Sequence, residues 1–366
     1  MNVIRIITVL ISAFILSGSI YARADETDRI IGEFEEVIPN EVKENIDVRD
    51  TDAIPSFADL IDICIKSIRD NICAPAKALC AMLFIITVNG IFHAFSETVT
   101  NERLLRVLEL ACSLSMTLSM LSVCSVGIDA VGRFLDRISD FSAAIAPILT
   151  GLCIMSGNPG SAAITSTGIS IFVSICHTVF SSFLLSLVRM SFAISVCSAL
   201  GDNIPDLSGV SVLFKRTFSI VMGFAVMLFC AVGTYQSIIF SGADSLSYRT
   251  VRFAVGNAVP VVGASLGEAL RVVSGAISTL RGTIGGVGVC VILLLLIPSA
   301  VLLLLNIGAV SISSSISRMF KLDRTSRFLE DVRTMYGQLL ALNVCASLMV
   351  IFLLCIVTAV PIQIGA

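Results

Sequence analysis

Four ionisable residues stand inside long apolar runs: His93, Glu109, His177 and Arg189. They are the types that could relay a proton or hold a charge pair within a membrane. Ionisable groups in hydrocarbon are costly and mark a pathway or a partner. Glu109 and Arg189 are the most expensive, and one arrangement pairs them across helices. The other lets Glu109, only about six residues into its run, snorkel to an interface. Asn89, Gln236, Asn306 and Asn343 lie in similar runs. Such side chains hold helices together more often than they bind solutes.

No enzyme motif accompanies them. The chain has no GxxxxGK[ST] loop, HExxH pair, nucleophile elbow or dinucleotide fingerprint. The two histidines fall in different runs, and no Cys/His spacing fits a metal. Neither an enzyme nor a cofactor is expected. With no basic domain, nucleic-acid binding is not expected either.

The elements that would carry these residues are membrane spans. The chain has 366 residues, 56% apolar and 14% charged, with mean hydropathy +0.96. Soluble domains carry about 25% charged residues. The fold class is all-α: a polytopic integral membrane protein of about eight transmembrane helices, within a range of six to eight. The expected spans are Ala78–Phe95, Leu104–Ile128, Phe141–Ser156, two within Ala162–Leu200, Thr217–Phe240, Gly286–Ile312 and Gly337–Ile362. Ala162–Leu200 has Arg189 as its one permanent charge. As helix it would be ~58 Å long, nearly twice a ~30 Å hydrocarbon core, which is why it reads as two. Eight crossings put Lys215, Arg216 and the basic set Arg318, Lys321, Arg324, Arg327 and Arg333 inside. A six-crossing alternative keeps that parity, with Phe141–Ser156 as a re-entrant hairpin and one long tilted helix after it.

Ahead of the spans, residues 1–24 read as a cleavable signal peptide. Arg5 is the charged n-region, Ile6–Ile20 the apolar stretch, and Ala22-Arg23-Ala24 precedes a cleavage before Asp25. An uncleaved anchor is the alternative. Residues 25–76 are an exported collar with 14 acids against five bases. Within it Phe57, Leu60, Ile61, Cys64, Ile65 and Ile68 predict one amphipathic helix, and Ile30, Phe34 and Val37 a weaker one. These helices would lie on lipid or pack on a protein. A Cys64–Cys73 disulfide and two free thiols both remain open. The transmembrane domain occupies 77–366.

An amphipathic re-entrant or interfacial segment is expected at 242–281. Its breakers Gly256-Asn257 and Pro260 interrupt an apolar stretch, and Leu266, Leu270, Val273, Ile277 and Leu280 follow at helical spacing. Broken backbone at membrane depth is tolerated only against protein or water. Further on, Phe328, Val332, Met335 and Leu339 make another stripe, read as a docking helix for a partner or an anchor on membrane lipid.

Arg249-Thr250, Phe253, Gly256-Asn257 and Pro260-Val261-Val262-Gly263, after Asp244, resemble the stage III sporulation protein AE family of endospore-forming bacteria. The order of signal, acidic segment and multi-span body is similar too. The resemblance implies a component of the channel or secretion-like apparatus joining mother cell to forespore. Its members sit in the mother-cell membrane around the forespore, with the N-terminal segment between the two membranes. Implied partners are other stage III channel proteins, including a cytoplasmic ATPase and ring-forming single-span proteins. Arg249, Thr250, Phe253, Gly256, Asn257, Pro260 and Gly263 are then candidate conduit or partner contacts. Glu109, His177 and Arg189 are the candidate intramembrane polar groups. A small-solute permease and a non-conducting scaffold are the alternatives.

Overall fold

Runs of Val, Ile, Leu, Ala and Phe with few breakers form helix wherever lipid leaves the backbone no other partner. The computed structural model describes residues 57–96, 102–155, 159–200, 209–232, 234 and 263–358. Residues 1–24, most of the acidic collar and residues 242–262 lie outside them. The described helices are α1 Phe57–Asn71, α2 Cys73–Ser96, α3 Glu102–Met155, α4 Pro159–His177, α5 Leu185–Leu200, α6 Gly209–Val232, α7 Gly263–Met319 and α8 Asp323–Thr358. A π-helical turn, Thr178–Leu184, joins α4 to α5 without a break. Among the described residues, six helical stretches are long and apolar enough to cross a membrane. The chain is an all-α, polytopic membrane protein.

Six is the lower end of the expected range, and two differences account for it. The expected spans Leu104–Ile128 and Phe141–Ser156 are one 54-residue helix, α3, so no re-entrant hairpin forms there. Five charged residues between them, Asp129 to Asp140, interrupt the hydropathy but not the helical period. Val131, Phe134, Leu135 and Ile138 stay buried on the opposite face. Pro147 costs α3 a hydrogen bond. The helix continues because Ile145, Ala146 and Leu149 are packed around it. The second difference is Ala162–Leu200, which is continuous helix through the π turn rather than two spans.

α7 and α8 form the central antiparallel hairpin. Its turn is a Schellman motif: the Leu322 N–H donates to the Ser317 carbonyl and the Lys321 N–H to that of Arg318. Lys321 takes the left-handed conformation, φ 55°. At the far end Gly285 meets Thr358, and Gly288 meets Leu354 and Ile145 of α3. Between them the Asn343 amide donates to Ser299 Oγ at 2.6 Å. Asn343 therefore does tie two helices together, whereas Asn306 bonds the Leu302 carbonyl of its own helix.

α3 lies against this hairpin in a register set by Tyr336. Its hydroxyl donates to the Val123 carbonyl at 3.0 Å, and its ring lies over Gly127. Phe328, Val332, Met335 and Leu339 are all buried. The expected docking stripe is thus consumed inside the bundle, as part of α8. Asp331 pairs with Lys215 of α6, and Arg318 with Glu330.

α1 forms where its stripe predicts, but it packs edge-on. Ile63, Ser67 and Asn71 turn towards the bundle, while Ile61, Ile65 and Ile68, with Ile72 beyond them, stay exposed. Cys64 and Cys73 are free thiols. Burial raises the pKa of the Cys64 thiol above its ordinary value.

A Cβ at Gly127 would stand 2.7 Å from the Tyr336 ring, while one at Gly308 would meet nothing within 4 Å. The Tyr336 hydroxyl holds that ring in place. Gly127→Ala should therefore cost about 1–3 kcal/mol by overpacking, and Gly308→Ala should be neutral or gain up to ~1 kcal/mol of helix propensity. Thermal unfolding of the detergent-solubilised protein compares the two.

Candidate functional site

Five charged residues gather on one face of α3. Asp129, Arg133, Asp136, Arg137 and Asp140 are all exposed. At ~100° per residue they fall within a single arc of about 100°. The antiparallel α4–α5 run brings two basic side chains to its edge. His177 Nε2 lies 2.9 Å from Asp136 Oδ1, and Arg189 3.8 Å from Asp129. Further along, Ser113 Oγ donates to the Ala199 carbonyl, which fixes the same register.

The π turn makes both pairs possible. His177 and Arg189 are twelve residues apart, which on an ideal α-helix places them about 120° apart. A π turn bonds i to i+5 and so winds less per residue. Seven such residues between them return Arg189 to the side that His177 faces. The same turn presents Phe180, which stacks on Phe229 of α6 with centroids 6.0 Å apart; Phe172 meets that ring edge-on at 5.2 Å.

On its other edge the charged face borders a groove of about 310 Å³ between α1, α3 and α7. Arg133 and Arg137 line it, with Asn71, Pro298 and Ser299. Ser299 is the acceptor of the Asn343 amide, whose own Oδ1 is buried without a partner.

Two of the expected intramembrane groups, His177 and Arg189, belong to this face. The proposed Glu109–Arg189 pair is not the one formed, because Arg189 reaches Asp129. Glu109 lies on α3, about 30 Å away along the helix axis, and its side chain is outside the described residues. So are Arg249, Thr250, Phe253, Gly256, Asn257 and Pro260; Gly263 is the first residue of α7. His93 and Gln236 side chains are also outside, and Asn89 is buried on α2. By hydropathy alone the five charges of α3 mark a break between spans. Their 3-4-7 spacing was the available signal.

The family model described as Stage III sporulation protein AE matches residues 41–361. The Stage III sporulation protein AE of Bacillus subtilis (strain 168) is 23% identical over 168 residues, 46% of this chain and 42% of that protein. The aligned stretch thus spans less than half of that relative. No solved structure matches the chain.

Asp129→Arg should lower the amount of folded protein in the membrane, and adding Arg189→Asp should restore it. Both side chains are more than half exposed, 60% and 56%. A double-mutant cycle on thermal unfolding in nanodiscs should therefore give a coupling below about 1 kcal/mol, as for pairs in contact with water. A coupling of several kcal/mol would mean that the pair is sealed from water.

Proposed function

This chain belongs to the stage III sporulation protein AE family, and from that premise we propose that it is a membrane subunit of the channel or secretion-like complex between mother cell and forespore. The family match supports this reading, because it covers residues 41–361 and so includes the whole multi-span body. The subunit sits in the mother-cell membrane around the forespore, and the acidic segment projects into the space between the two membranes. Lys215, Arg318, Lys321, Arg324, Arg327 and Arg333 then lie on the mother-cell side, as the bias of basic residues towards the cytoplasm requires. An even number of crossings places the N-terminal segment and the end of α8 on the same, opposite side.

Its partners are the other stage III channel proteins, including a cytoplasmic ATPase and ring-forming single-span proteins. The segment Arg249–Gly263, carrying Thr250, Phe253, Gly256, Asn257 and Pro260, faces those partners or the conduit.

Mild-detergent extraction from sporulating cells should bring the channel proteins down with this chain. Deleting Asn257–Gly263 should abolish assembly and spore formation while membrane insertion persists. Normal spores from the deletion, or a reporter fused after Lys321 that is active only outside the cytoplasm, would overturn the reading.

A further inference from the structure

The geometry points to a hydrated path: the face of α3 bearing Asp129, Arg133, Asp136, Arg137 and Asp140, flanked by His177 and Arg189, is one wall of a water-filled passage through the membrane body. This rests on reading the chain as a conduit subunit and assigns the residues that would do that work.

Position along the apolar hairpin is the first observation. Tyr336 marks one level on α3 at Val123, and Leu354 with Gly288 marks another at Ile145. Those levels are 22 residues apart, about 33 Å of helix, close to the ~30 Å of a hydrocarbon core. All five charges lie between them. Alongside, α7 has no Asp, Glu, Lys or Arg from Gly282 to Ser317, and α8 has none from Thr334 to Thr358. The charges therefore stand beside the most apolar stretches of the molecule.

Exposure is the second. Asp136 is 62% exposed and Asp129 60%. Ionised groups at this depth face the bundle interior or water rather than lipid. The interior here is on the opposite face of α3, where Phe134, Leu135 and Ile138 are packed. Water is the remaining solvent. The exposed face continues through Ser125 and Ser122 towards the Ser113 end.

A lipid-facing surface looks different. Beyond Arg216 on α6, Ile220, Phe224 and Met227 are exposed with no charge among them. Phe229 of that helix packs on Phe180, just past His177, so the two surfaces lie at comparable depth. The charge on the α3 face is balanced, with Asp129, Asp136 and Asp140 against Arg133, Arg137 and Arg189. Pores lined by one sign select for the other. This wall suits hydrated polar solutes of either sign.

Cysteine scanning of the full chain in membranes of sporulating cells tests it. Asp136→Cys, Asp140→Cys and Met227→Cys are each treated with a charged, membrane-impermeant thiol reagent, and labelling is read by peptide mass spectrometry. Only the thiolate reacts, so the two α3 positions should label at least about tenfold faster than Met227→Cys. Ser139→Cys keeps every charge and lines the crevice beside His177. It decides the matter if the aspartate variants fail to accumulate. A smaller ratio at these positions overturns the hydrated wall. With partner co-purification intact, that result would leave membership of the complex standing; labelling without co-purification would leave the wall standing and remove the complex.

Discussion

A charge in the middle of a bilayer costs about 2.5–3.5 kcal/mol even on the mildest insertion scale, and this constraint orders the whole chain. It clears α7 between Gly282 and Ser317, and α8 from Thr334 onwards, of every Asp, Glu, Lys and Arg. It confines the Lys215–Asp331 and Arg318–Glu330 pairs to the turn end of the hairpin. It also makes the charged face of α3 the most telling surface of the molecule, because five ionisable residues there are not removed but lined up.

Lipid removes the hydrophobic drive between helices, so the bundle relies on close packing and a few hydrogen bonds. Small residues admit the large ones: Gly127 beneath Tyr336, Gly288 against Leu354, Gly90 against Phe320. Two polar ties then select the register. Tyr336 reaches the backbone of α3, and Asn343 reaches Ser299. The same register carries Asp129 and Asp136 to the depth of the apolar hairpin. The π turn brings His177 and Arg189 to meet them. Scaffold and candidate site therefore follow from one set of contacts.

Much of the fold was legible because hydropathy and helical period are properties of consecutive residues. The α1 helix, the apolar cores of α7 and α8 and the class of the protein all follow from them. The candidate site was legible in part. His177 and Arg189 stood out because each interrupts an apolar run. Asp129, Arg133, Asp136, Arg137 and Asp140 did not, because a cluster of charges reads as the end of a span. The Phe328–Leu339 stripe failed in the opposite sense. An amphipathic face calls for a neighbour, and only the packed bundle reveals that the neighbour is the chain itself.

Sequence alone determined that this is an all-helical membrane protein related to the sporulation AE proteins, since transfer to lipid acts on composition and a family pattern is carried by residues in order. The tertiary structure decided which apolar runs join into single helices, which acid meets which base, and which face of α3 remains open. Those depend on the angular position of each side chain around its helix and on which helix lies opposite. Neither quantity exists until the helices have packed.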